Sequence, residues 1–312
     1  MKQSSNETTA TGQAERGFAL LLVIWVLALL AVLAAGVAAD STSEAVIARN
    51  RMDGAQARAL ADSGVTLGIL GVLDPNPATR WPTDGRSQQF RLADGSVTVA
   101  LQDEGGKIDL NAAPIDLIGG LADEFGIAPD IRAALINGVV DRRSLFKASA
   151  APQPARFYLG ADTYTADIAA QPFAALSELQ LLPGVTRSAY EQLLPYLTVY
   201  SESATLNPLT ASREALLAVP GISPQDVDFY LGTRDQTAAG IEKPALSGVD
   251  RYVQPGGLHA VTISAKAVSA AGASFTREAI VMISPNLPIR PYRILSWGQA
   301  RETPPASVAA AQ

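Results

Sequence analysis

"ERGFALLLVIWVLALLAVLAAGVAAD" (residues 15–40) poses the first choice. A charged, polar leader stops at Gly17, and the next charge is Asp40, so Phe18 to Ala39 is a run of 22 residues without one charge. Three readings compete: a membrane span, a secretory signal and a buried core helix. A helix of that length reaches about 33 Å, which matches a hydrocarbon core of about 30 Å. A secretory signal has a shorter apolar stretch behind a basic n-region. Here Lys2 and Arg16 are balanced by Glu7 and Glu15, although Val37-Ala38-Ala39 does fit a small-residue cleavage site. Length therefore favours the span. Arg16 before it, with Asp40 and Glu44 after it, favours a cytoplasmic N-terminus.

Working outward, composition narrows the classes. The chain has 312 residues, 48% of them hydrophobic, enough for a sizeable core once the span is set aside. There is no cysteine, hence no disulfide and no thiolate metal site. The net charge of −6 argues against nucleic acid. Chemistry is poorly supplied: His259 is the one histidine, in a segment where His259, Val261 and Ile263 alternate like a strand. No nucleophile elbow, His-Glu-x-x-His or phosphate loop occurs, and Asp103-Glu104 and Asp123-Glu124 read as surface charges. An anchored exported enzyme is the weaker reading.

Residues 41–74 are rich in Ala and Leu, and Val46, Ala57, Leu60, Ala61, Val65, Leu67 and Leu70 mark a stripe compatible with helical period. Asp74-Pro75-Asn76-Pro77 stops it. One long helix, roughly 18–73, is expected. "QFRLADGSVTVALQDE" alternates on both sides of Asp94-Gly95, a hairpin signal. Residues 258–284 alternate around Ala271-Gly272 in the same way. Between the hairpins, 108–250 is mostly helix-like. The fold class is therefore α+β: a long N-terminal helix on a small antiparallel sheet, with a large α-helical insert.

The insert repeats a phrase. "SELQLLPGVTRSAYEQLLPYL" from Ser177 and "EALLAVPGISPQDVDFYL" from Glu214 each carry Pro-Gly and a β-branched residue between helix-like runs. Pro183-Gly184 and Pro220-Gly221 resemble helix-hairpin-helix turns. DNA-binding hairpins of that kind usually have a second Gly, whose backbone approaches phosphate closely; Thr186 and Ser223 stand there instead. Arg187 is the nearby base at the first turn, and none lies between Gly221 and Leu231. These turns read as scaffold and interaction surface, with a membrane-anchored DNA-uptake protein as the alternative. Asn111 and Asn207 are expected N-caps, since their side chains can accept orphan N–H groups.

Arg16-Gly17-Phe18 followed at once by the apolar run resembles a prepilin-type leader. The phrase "LQDEGGKIDLNAAP" (101–114), with "QPFAALSELQLLPGVT" from Gln171, resembles the K class of minor pseudopilins of type II secretion systems. The resemblance runs from Arg16 to about Ser284. It implies cleavage between Gly17 and Phe18 by a prepilin peptidase, N-methylation of Phe18, and a pilin-type sheet. Most pilins carry Glu at the fifth mature position, where this chain has Leu22; its loss is characteristic of the K class and suits a subunit with no other above it. The implied division is leader 1–17, span 18–39, pilin-like head 40–107 and 251–300, insert 108–250 and a flexible tail 301–312. The implied role is a filament tip that starts the pseudopilus and supports export, without bond-making chemistry. The implied partners are the I and J class minor pseudopilins and the major pseudopilin, at an inner membrane, with the head periplasmic. No cofactor is required. Some relatives bind calcium in the insert. Here Arg142 and Arg143 follow Asp141 where acidic company is usual, and Asp162 and Asp167 are the remaining candidates, so calcium is a doubtful expectation.

Overall fold

The computed structural model describes residues 12–150, 171–236, 246, 248–284 and 291–299. Side chains are not described at 12–17, 19, 36–43, 45, 146–150 and 235–236. Helix α1, Gly12–Val72, is 61 residues long and begins before the expected residue 18. Its end is built by Asp74. That carboxylate accepts from the backbone N–H of Asn76 at 2.9 Å and the Thr79 hydroxyl at 2.7 Å, closing the Pro-rich turn. Among the described residues no helix is long and apolar enough to cross a membrane. The expected span, Phe18 to Ala39, is only partly described, because the side chains of Ala19 and 36–39 lie outside those residues.

Strands β1 (Asp84–Leu92) and β2 (Gly95–Asp103) form the hairpin signalled by Asp94-Gly95. Strands β5 (Ala260–Ser269) and β6 (Ser274–Ile283) form the second, around Gly272 at φ +88°. β2 pairs antiparallel with β5, so the two hairpins fuse, and β7 (Tyr292–Gln299) adds to β6. The five-stranded order is β1-β2-β5-β6-β7. Alternate residues of β2, β5 and β6 (Val97, Val99, Ile263, Ala265, Val281) bury against Ala61, Val65 and Ile69 of α1. Each such Val or Ile contributes about 1.5–3 kcal/mol on burial. The close approach depends on Gly64 and Gly68: a Cβ on Gly64 would lie 2.6 Å from Val97 Cγ2, and one on Gly68 2.7 Å from Ile263 Cγ2.

Between β2 and β5 the chain leaves the sheet and builds a second core. It contains β3 (Ile108–Asp109), α2 (Ile115–Glu124), α3 (Pro129–Ala150), α4 (Arg187–Leu193), β4 (Leu197–Thr198), α5 (Arg213–Leu217) and α6 (Pro224–Gln236). Leu110, Leu117, Leu121, Leu193 and Leu216 lie at its centre. β3 and β4 pair in parallel, a small sheet within the helical insert that the sequence reading did not anticipate.

Two expectations fail here. Asn111 does not cap a helix: α2 starts after Pro114 without a side-chain cap. Its amide instead clamps Phe173, accepting from the Phe173 N–H at 2.8 Å and donating to its carbonyl at 3.0 Å. Asn207 likewise caps no helix; it accepts from Leu209 N–H in a local turn and donates to Asp103. The N-cap of α5 is Ser212.

Candidate functional site

The described geometry concentrates at the junction where sheet hands over to insert. Asp103, Glu104 and Asp109 are each 1% exposed, which corrects the reading of Asp103-Glu104 as surface charges. Buried carboxylates persist only when their oxygens are met by donors, and each of these is met from a different part of the chain. Asp103 accepts from Gly105 N–H, from the Asn207 amide at 2.9 Å and from the Thr210 hydroxyl at 2.9 Å. Glu104 accepts from Lys107 Nζ at 2.6 Å, the Thr262 hydroxyl at 2.5 Å and the Thr198 hydroxyl. Asp109 accepts from Asn111 and Ala112 N–H, from the Ser201 hydroxyl at 2.9 Å and from Glu202 N–H at 3.0 Å. Thr262 belongs to the sheet while Thr198 belongs to the insert, so Glu104 fastens the two cores together. Burial pushes the Asp103 carboxyl up, opposed by its three donors.

Arg142 and Arg143 are the second set the sequence reading undervalued. Arg142 pairs with Glu178 at 2.5 Å, donates to the Gln171 carbonyl and stacks over the Phe173 ring. Arg143 donates to the carbonyls of Leu110 at 2.9 Å and Ala113 at 2.7 Å, and burial lowers its pKa. Arg143 thus ties α3 to the loop after β3 and Arg142 ties it to the segment 171–178, and with Asp109, Asn111, Phe173 and Glu202 they line a cleft. Two arginines directly after Asp141 were the available signal. Among the described residues no group of three or more metal-ligating side chains gathers. Asp162 and Asp167 lie outside them.

The turns expected to resemble helix-hairpin-helix motifs have defined geometry. Gly184 and Gly221 sit at φ +84° and +85°, the left-handed region that glycine tolerates. Pro183 and Pro220 precede them. Thr186 accepts from Ala189 N–H and Ser223 from Asp226 N–H, so the residues replacing the second glycine serve as helix N-caps. Before the first turn lies a 3-10 helix, Leu176–Leu181, where an α-helix was expected. Arg187 pairs with Glu191 at 2.7 Å. Pro220 and Gly221 border a groove with Asp116, Asp123, Glu124 and Arg132, in which Arg132 is paired with Asp123 and the lining is net acidic.

At the other end, Gly17 lies inside α1. Phe18 is 70% and Leu22 53% exposed, within an apolar run that is exposed as far as Leu33.

Residues 99–202 match the family model described as Type II secretion system (T2SS), protein K. The matched segment runs from inside β2 to Glu202 and contains all three buried carboxylates and both arginines. The Type II secretion system protein K of Klebsiella pneumoniae is 29% identical over 237 residues, covering 65% of this chain and 69% of that protein. Over this segment the chain is similar to the type II secretion system protein K family. A chain in the crystal structure of the GspK-GspI-GspJ complex from the enterotoxigenic Escherichia coli Type 2 Secretion System superposes with a TM-score of 0.49 at 15% identity. That match covers 84% of this chain and 99% of the other.

Proposed function

We propose that this chain caps the pseudopilus. It is anchored in the inner membrane by Phe18–Ala39, processed between Gly17 and Phe18 and N-methylated on Phe18. It joins the I and J class minor pseudopilins, and through them the major pseudopilin, to start filament growth. Its head and insert face the periplasm, and its contribution to export is assembly without catalysis. The observation that carries this reading is the exposed apolar run of α1, with Leu22 in its first turns. An apolar helical surface of this length needs lipid or neighbouring helices around it. A carboxylate in that position would be costly unless paired with another charge. The leucine removes any demand for a subunit overhead. The packed second half of α1 then holds the head rigidly on the rod.

Mass spectrometry of the protein recovered from membranes tests this. A mature N-terminus at N-methyl-Phe18 is expected; a chain beginning at Asp40 would overturn the anchor. Leu22→Glu should leave the head folded while reducing pseudopilus initiation, and undiminished initiation in that variant would remove the argument from the missing carboxylate.

A further inference from the structure

We propose that His259 and Glu202 form a pH-responsive clasp between the sheet and the insert. His259 directly precedes β5, and its backbone carbonyl accepts from Ile283 N–H at 2.8 Å, which fixes it to the sheet. Its Nε2 is buried and has no hydrogen-bond partner. It lies 3.7 Å from Glu202 Oε2, close enough for an ion pair once the ring is charged.

Glu202 comes from the insert, just past β4. Its φ of +52° is the one positive φ among the described non-glycine residues. A side chain in the left-handed region is held there against its own preference. What holds it is visible: its N–H donates to the buried Asp109 carboxylate. Asp109 thus sets the backbone that carries the Glu202 carboxylate toward the imidazole.

The other charged groups at this end are already engaged. From β2 and the turn after it, Asp103 is held by Gly105, Asn207 and Thr210, while Glu104 is held by Lys107, Thr198 and Thr262. Asp109 on β3 is held by Asn111, Ala112, Ser201 and Glu202. The end of β6 brings Ile283 and Ser284, which carry no charge. Glu202 is the carboxylate the structure places against the ring.

An imidazole changes charge within the pH range that an exported domain meets. When protonated, the ring gives Glu202 a cation and converts a bare contact into a charged bond across the two cores. When neutral, it offers no such bond.

A double-mutant cycle tests this on the full chain in detergent. Thermal midpoints of the wild type, Glu202→Gln, His259→Gln and the double variant are read at pH 5.5 and pH 8. The expected result at pH 5.5 is that the double variant loses less than the sum of the single losses, by about 1–2 °C, with additivity at pH 8. Additive losses at both pH values would overturn the clasp, as would coupling that is equal at both. To separate a general folding defect from loss of the clasp, hydrogen exchange at Glu202 N–H is followed in His259→Gln. Faster exchange than in the wild type at pH 5.5, with matched rates at pH 8 after correction for intrinsic exchange, is expected; no difference at either pH also overturns it.

Discussion

Lys107 sits 2.6 Å from a Glu104 carboxylate that is almost wholly buried, and its own side chain is 18% exposed. Removing the cation leaves a buried charge short of its partner, which typically costs 3–5 kcal/mol. Lys107→Met is therefore expected to lower stability by about 3 kcal/mol in denaturant unfolding, and adding Glu104→Gln to that variant should restore part of the loss. Asp103 gives a pH signature. Its folded carboxyl is raised above the ordinary 3.8, chiefly by burial. Stability from this group is thus fully present below 3.8 and declines as pH rises through the raised folded value. Asp103→Asn should flatten that part of the stability–pH curve on the alkaline side of the ordinary Asp range; a curve of unchanged slope would contradict the assignment. The motif around these residues was legible in the sequence, but their burial was not. Adjacent acids read as surface charge unless the donors are known, and Thr198, Asn207, Thr210 and Thr262 lie some 90 to 160 positions away.

At the level of elements, helix α2 rests on the end of α5 through Gly120. A Cβ there would sit 2.1 Å from the carbonyl oxygen of Ala218, a backbone atom with little freedom to retreat. Gly120→Ala is expected to destabilise the insert by about 1–3 kcal/mol, with amide protection lost in α2 and α5 before the sheet is affected. Hairpins β1–β2 and β5–β6 could be read from the sequence because each alternates around a glycine turn. β7 could not, for a geometric reason. Its register shifts opposite Ile280 and Val281, so Ile294 and Trp297 share a face although three positions separate them. A bulge of this kind breaks the period-two pattern on which a strand is recognised. The 3-10 helix before Pro183 and the two-residue strands β3 and β4 were hidden similarly, being too short to show any period.

The molecule as a whole is a sheet interrupted between neighbours. Asp103 at the end of β2 pairs with Val261 near the start of β5, so the insert leaves and returns on adjacent strands. Replacing 105–259 with a short Asn-Gly turn is expected to leave α1 and the five-stranded sheet folded, with a helical circular dichroism signal reduced by the insert's share. Collapse of the sheet in that variant would show that the two cores fold only together. The doorway between the cores also decides where mechanical load travels. A push on the insert enters through β2 and β5, the interior of the sheet and two strands that lie on α1, and not along the outer strands β1 or β7. Such a push loads interior strands paired on both sides instead of unzipping a rim, and passes directly to the rod beneath.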